Sequence, residues 1–146
     1  MLLQYLVGSS VAAVNIVIHA VVTVLVISVA RAVGLRTWPG PWLGLVAVMI
    51  ATASVLIIAH TLEVLVWALA YVVTGAISEG SDPIDFAFVN YTTLGYGDVT
   101  PSKAWRLLGP MTAMNGVLMF GWSTAVLFEV LQKAIDHHIS FESRSD

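Results

Sequence analysis

Thr92-Thr93-Leu94-Gly95-Tyr96-Gly97-Asp98-Val99-Thr100-Pro101 is a polar, glycine-bearing run set between two long apolar stretches. At membrane depth, irregular backbone is tolerated only where it is buried in protein or lines a water-filled path, because lipid offers no partner to free peptide groups. The run is therefore expected to line such a path. Gly95 and Gly97 lack a Cβ and can take positive φ, so the residues around them can turn successive carbonyl oxygens the same way. A ring of such oxygens can replace the water around a cation. Thr93 would add a hydroxyl at the inner end of the row, the Tyr96 ring would point away from the axis, and Asp98 would mark the outer mouth. The plain alternative is a glycine-rich turn joining two helices.

Working outward, the 146 residues are 58% hydrophobic and 10% charged, with a mean hydropathy of +0.89. A soluble domain carries about 25% charged residues, so this composition belongs to an integral membrane protein. A helix needs about 20 apolar residues to span roughly 30 Å of hydrocarbon, and residues 3–33, 42–77 and 102–133 each suffice. Ser10-Val11-Ala12 has the small residues of a cleavage site, yet no Lys or Arg precedes it and the apolar run continues to Ala30. A retained membrane helix is expected there. The net charge of -3 and the scattered basic residues exclude a nucleic-acid partner, and the absence of cysteine leaves no thiolate metal site or disulfide. No nucleophile-base pair or phosphate loop is visible, so no enzyme and no cofactor is expected.

Asp82 can N-cap a short helix with Pro83 at its first position, preceding the polar run. Its carboxyl end would direct partial negative charge toward the ion path. Arg31 and Arg36 make the loop after the first span basic, with Trp38 and Trp42 as interface anchors. By the positive-inside rule that loop is cytoplasmic, which puts the N-terminus outside, the polar run on the outer side, and Lys133, His137, His138 and Arg144 inside. Glu79, Asp82, Asp85 and Asp98 then cluster on the outer side, where repetition around an axis would concentrate cations.

The segment Thr93-Leu94-Gly95-Tyr96-Gly97-Asp98 closely resembles the selectivity filter of potassium channels, where four TVGYG loops replace the ion's hydration shell. Leu94 stands where valine is common, and since the backbone carbonyl coordinates the ion, the exchange falls on packing behind it. The chain is thus similar to small prokaryotic potassium channels of the pore-loop family, with one extra N-terminal transmembrane helix. The resemblance implies an all-α membrane protein with three transmembrane helices, a re-entrant pore helix and a filter loop in a tetrameric pore. Residues 42–133 would be the pore domain, comprising outer helix 42–77, pore helix 82–93, filter 93–98 and inner helix 102–133. Residues 1–41 add the extra helix and basic loop, and 134–146 a short cytoplasmic tail. K+ ligands would be Thr93, Leu94, Gly95 and Tyr96, with Gly97 completing the filter. The chain would be a homotetramer in the cell membrane that passively conducts K+. Two alternatives stay open: a weakly selective cation channel, and a non-conducting subunit that keeps the loop as structure.

Against the family's pattern, Val89 and Asn90 replace frequent partners behind the filter, and Asp85 and Phe86 stand where N–H-bearing aromatic residues hold the filter aspartate. Asp98 is expected to be held by Tyr91, Lys103 or Arg106 instead. Gly116 and Gly121 are candidates for an inner-helix hinge, with close packing as the alternative reading, and Pro110 is expected to remove one helical hydrogen bond. Asn15, His19 and Thr23 fall on one face of the first span, and His60, Glu63 and Trp67 on one face of the second. Ionisable groups inside a membrane span need partners, so Glu63 should pair with His60, or with His19 or Asn15. Such contacts would serve as interhelical glue or as a pH sensor.

Overall fold

The computed structural model describes residues 1–34 and 41–142. The expectations placed on Arg36, Trp38 and Arg144, and on the side chains of His137 and His138, lie outside what is described. The elements are α1 (Leu2–Gly34), α2 (Pro41–Thr74), α3 (Pro83–Tyr91), a single 3-10 turn at Lys103–Trp105, and α4 (Leu108–Glu142). The described residues are predominantly helical, with no strand among them. Three stretches, Leu2–Ala32, Trp42–Thr74 and Lys103–Asp136, are long and apolar enough to cross a membrane. The protein is an all-α, multi-pass membrane protein.

Local chemistry sets the helix ends. α2 stops at Thr74, before the expected 77, because Gly75 takes φ 59° and closes the helix. The Ala76 N–H donates to the Tyr71 carbonyl at 3.1 Å and the Gly75 N–H to the Val72 carbonyl at 3.1 Å. This pair of bonds is the Schellman termination. α3 begins at Pro83 on an Asp82 N-cap whose carboxylate accepts from the Ile84 N–H at 2.8 Å and the Asp85 N–H at 3.3 Å. α4 begins at Leu108 and not near 102, since the preceding residues form the 3-10 turn, and it continues past the expected 133. That start corrects the reading of Pro110. The residue lies in the first turn of α4, where N–H groups have no intrahelical partner, so no hydrogen bond is lost.

The chain divides into two compact units, Met1–His19 with Ala59–Gly121, and Ala20–Ile58 with Trp122–Asp146. The second is held by an apolar cluster of Val26, Val48, Leu56, Val126 and Val130, with Trp122 and Leu127 packed against it.

In the first unit, the α1 segment is patterned the opposite way to a helix of a water-soluble fold. On residues 1–19 of α1 the buried positions are Gln4, Gly8, Asn15 and His19, whereas Leu3, Leu6, Val14 and Val17 are exposed. Gly8 is buried because a Cβ there would overlap the Met111 side chain, and the Gln4 side-chain oxygen accepts from the Leu107 N–H at 3.1 Å. In hydrocarbon, exposed aliphatic surface carries no penalty, so helices associate through small and polar residues. Tyr71 sits edge-on to Phe86, with centroids 4.8 Å apart, and its hydroxyl bonds Thr112, tying α2 to both α3 and α4.

Candidate functional site

The polar run leaves α3 through a strained turn. Thr92 caps the helix, the Thr93 N–H donates to the Asn90 carbonyl at 3.0 Å and the Leu94 N–H to the Val89 carbonyl at 2.9 Å. Thr93 therefore occupies the left-handed position of a Schellman turn, with φ 60°. Glycine is the usual occupant, and a β-branched residue there is an outlier.

The left-handed geometry recurs at alternate residues: φ is 60° at Thr93, 59° at Gly95 and 80° at Gly97. Positive φ at alternate residues allows successive carbonyl oxygens to be turned the same way. Such a row of carbonyl oxygens suits a desolvated cation. In the single chain Thr92 through Asp98 is exposed, with Leu94 at 56% and Tyr96 at 69%. Beyond the run, the Ser102 N–H donates to the Ala76 carbonyl at 2.8 Å, which fastens the loop to the end of α2.

Behind α3 lies a buried polar seam. Glu63, fully buried on α2, accepts from His19 Nδ1 at 2.8 Å and lies 3.2 Å from His60 Nδ1. The Tyr91 hydroxyl donates to the same carboxylate, and His60 Nδ1 is 3.2 Å from that hydroxyl. Glu63 thus meets both histidines expected from the sequence. Asn15 does not reach its carboxylate: the amide donates to the Glu63 backbone carbonyl at 3.2 Å and to Asn115 Oδ1 at 2.9 Å. Trp67 Nε1 donates to the same Asn115 oxygen at 2.9 Å.

Asn115 and Tyr91 complete this seam, and neither is assigned to it by the sequence pattern. A lone amide within an apolar span was the available signal for Asn115. Tyr91 does not hold Asp98 as expected: its hydroxyl donates to the Glu63 carboxylate and lies beside His60 Nδ1. Asp98, Lys103 and Arg106 are exposed in the single chain.

Gly116 is buried against α3, where a Cβ would overlap the Tyr91 backbone carbonyl. The contact gives Gly116 a packing role. At Gly121 a Cβ would meet nothing within 4 Å, and α4 is helical through both glycines. Val89 is buried, and the Asn90 amide donates back to the Phe86 carbonyl at 2.8 Å, with its oxygen facing Gly109.

Residues 46–133, more than half of the chain, match the ion-channel family. The protein therefore belongs to that family and is an ion channel of the pore-loop type. Neither the curated proteins nor the solved structures contain a match.

Proposed function

We propose that the protein is a potassium-selective channel that conducts K+ passively through a homotetrameric pore. The observation that carries this reading is the alternation of left-handed residues at Thr93, Gly95 and Gly97 within the run Thr93-Leu94-Gly95-Tyr96-Gly97-Asp98. In a homotetramer, four copies surround one axis. The carbonyl oxygens of Thr93, Leu94, Gly95 and Tyr96, with the Thr93 hydroxyl, replace the hydration shell of K+. A single chain cannot enclose an ion with one loop. The exposure of Leu94 and Tyr96 in the isolated chain supports assembly, because these side chains become the contacts between the loop and its neighbours.

The N-terminus lies outside and the C-terminus in the cytoplasm of the cell membrane, the orientation favoured by Arg31 at the end of α1. Glu79, Asp82, Asp85 and Asp98, all exposed, then raise the cation concentration at the outer mouth.

The test is reconstitution of the purified chain in liposomes, with reversal potentials measured under bi-ionic K+ and Na+. A potential set by K+ is expected. A potential near zero would make the pore a weakly selective cation channel, and the absence of flux from a verified tetramer would make the chain a non-conducting subunit.

A further inference from the structure

A fully buried carboxylate requires a compensating positive charge, because an unpaired ion in a low-dielectric interior is strongly unfavourable. Among the described residues, the groups facing the Glu63 carboxylate are two imidazoles and a phenol, with no lysine or arginine. The balancing charge must come from a proton shared in the cluster or from a cation held by the same atoms.

The donor set fits a cation of a particular class. His60 and Glu63 stand three positions apart on α2, a spacing that helix bundles use to aim an imidazole and a carboxylate at one metal ion. His19 arrives from α1 and the Tyr91 hydroxyl from α3. One ligand atom from each of His19, His60 and Glu63 lies within 4.8 Å of the others. In a tetrahedral zinc site with bonds of about 2.0–2.2 Å, neighbouring ligand atoms lie about 3.4 Å apart. His19 Nδ1 lies 2.8 Å from Glu63 Oε1 and His60 Nδ1 lies 3.2 Å from Glu63 Oε2, so each nitrogen–oxygen pair widens by a few tenths of an ångström to admit the ion between them. Two imidazole nitrogens select a borderline transition metal over Mg2+ or Ca2+, which take oxygen ligands.

We propose that His19, His60 and Glu63 form a binding site for a divalent transition-metal ion of the zinc type, with the Tyr91 phenolic oxygen as a fourth ligand. On binding, each imidazole coordinates through Nδ1 with its proton on Nε2. Any proton shared on the Nδ1 side leaves to solvent, and the tyrosine coordinates as the phenolate with its own proton also released, so that the dication and the two anionic ligands leave the buried site neutral. The ion ties α1, α2 and α3 together beside the last residue of α3. Binding itself is independent of the proposed pore. Only an effect of the metal on K+ flux rests on that reading.

The full chain, purified in detergent and stripped with chelator, is dialysed against Zn2+ or Co2+, and its metal content is measured. One ion per chain is expected, with the visible absorption of tetrahedral Co2+ and a rise in melting temperature on adding Zn2+. His19→Gln should lower the affinity by more than about tenfold, while Glu129→Gln, which alters an exposed carboxylate elsewhere, should leave it unchanged. If His19→Gln fails to fold, His60→Asn, at a position that is only partly buried, tests the same loss. Wild-type protein that binds no stoichiometric Zn2+, or variants that bind it as tightly as wild type, would overturn the site and leave a cluster balanced by protons. Metal binding in a chain that carries no K+ flux would uphold the site and refute the pore reading instead.

Discussion

Helices α2 and α3 end in the same hydrogen-bonded turn, one on a glycine and the other on a threonine. After α2, Gly75 sits at φ 59°, and after α3, Thr93 sits at φ 60°. In each case the next N–H closes on the carbonyl five residues back, Tyr71 or Val89. Glycine enters the left-handed region nearly freely, whereas an L-residue with a side chain gives up about 1–2 kcal/mol there. The surroundings differ to match. A Cβ on Gly75 would meet nothing within 4 Å, so that end is open. The last turn of α3 is gripped at Tyr91 by the Glu63 carboxylate at the hydroxyl and by Gly116 against the carbonyl. Strained backbone persists where its environment over-determines it, and here it lies at the first carbonyl of the proposed ion path.

The largest expected effect comes from loosening that grip by steric means. Gly116→Ala drives a methyl group into the Tyr91 carbonyl and should cost about 2–3 kcal/mol, read as a lower melting temperature of the detergent-solubilised protein. Removing one hydroxyl is gentler. Tyr91→Phe leaves a buried carboxylate short of a donor, which should cost about 2 kcal/mol and lower the K+ over Na+ permeability ratio.

The two turns can then be exchanged. Gly75→Thr places a β-branched residue in the left-handed position without any grip, and should cost about 1–2 kcal/mol while leaving ion selectivity unchanged. Thr93→Gly should have the smallest effect on stability, a gain of no more than about 1 kcal/mol, because relief of strain is offset by glycine's greater freedom in the unfolded chain. It should nevertheless reduce selectivity, since the hydroxyl is gone. Equal losses of selectivity from Gly75→Thr and Thr93→Gly would erase the distinction between the two ends. A marked loss of stability in Thr93→Gly would refute the strain.

Several of these features could be read before any coordinates. The start of α3 was legible because an Asp-Pro N-cap is a local signal, and the geometry at Asp82 is that of such a cap. The ability of Gly95 and Gly97 to take positive φ was equally local. The left-handed Thr93 was not legible, since threonine avoids that region unless its surroundings impose it. The end of α2 was missed although Gly75 was visible, because an apolar run on both sides of a glycine hides the cap. Glu63 shows the limit most clearly. Its contact with His60 follows from spacing on one helix, but the contributions of His19 and Tyr91 depend on how α1 and α3 are rotated about their axes. Asn15, on the same face as His19, turned to a backbone carbonyl and to Asn115 for the same reason.

Sequence by itself determined that the protein is helical and membrane-embedded, how many spans it carries, and where its polar loop falls. Hydropathy, capping residues and the conformational range of glycine are properties of short stretches, and no distant contact is needed to express them. Tertiary structure decided which polar faces meet, that Gly116 lies against the Tyr91 carbonyl, and that Thr93 is held in a conformation it would not choose. Those outcomes depend on the relative rotation and approach of helices far apart in the chain, and the one-dimensional pattern does not encode either.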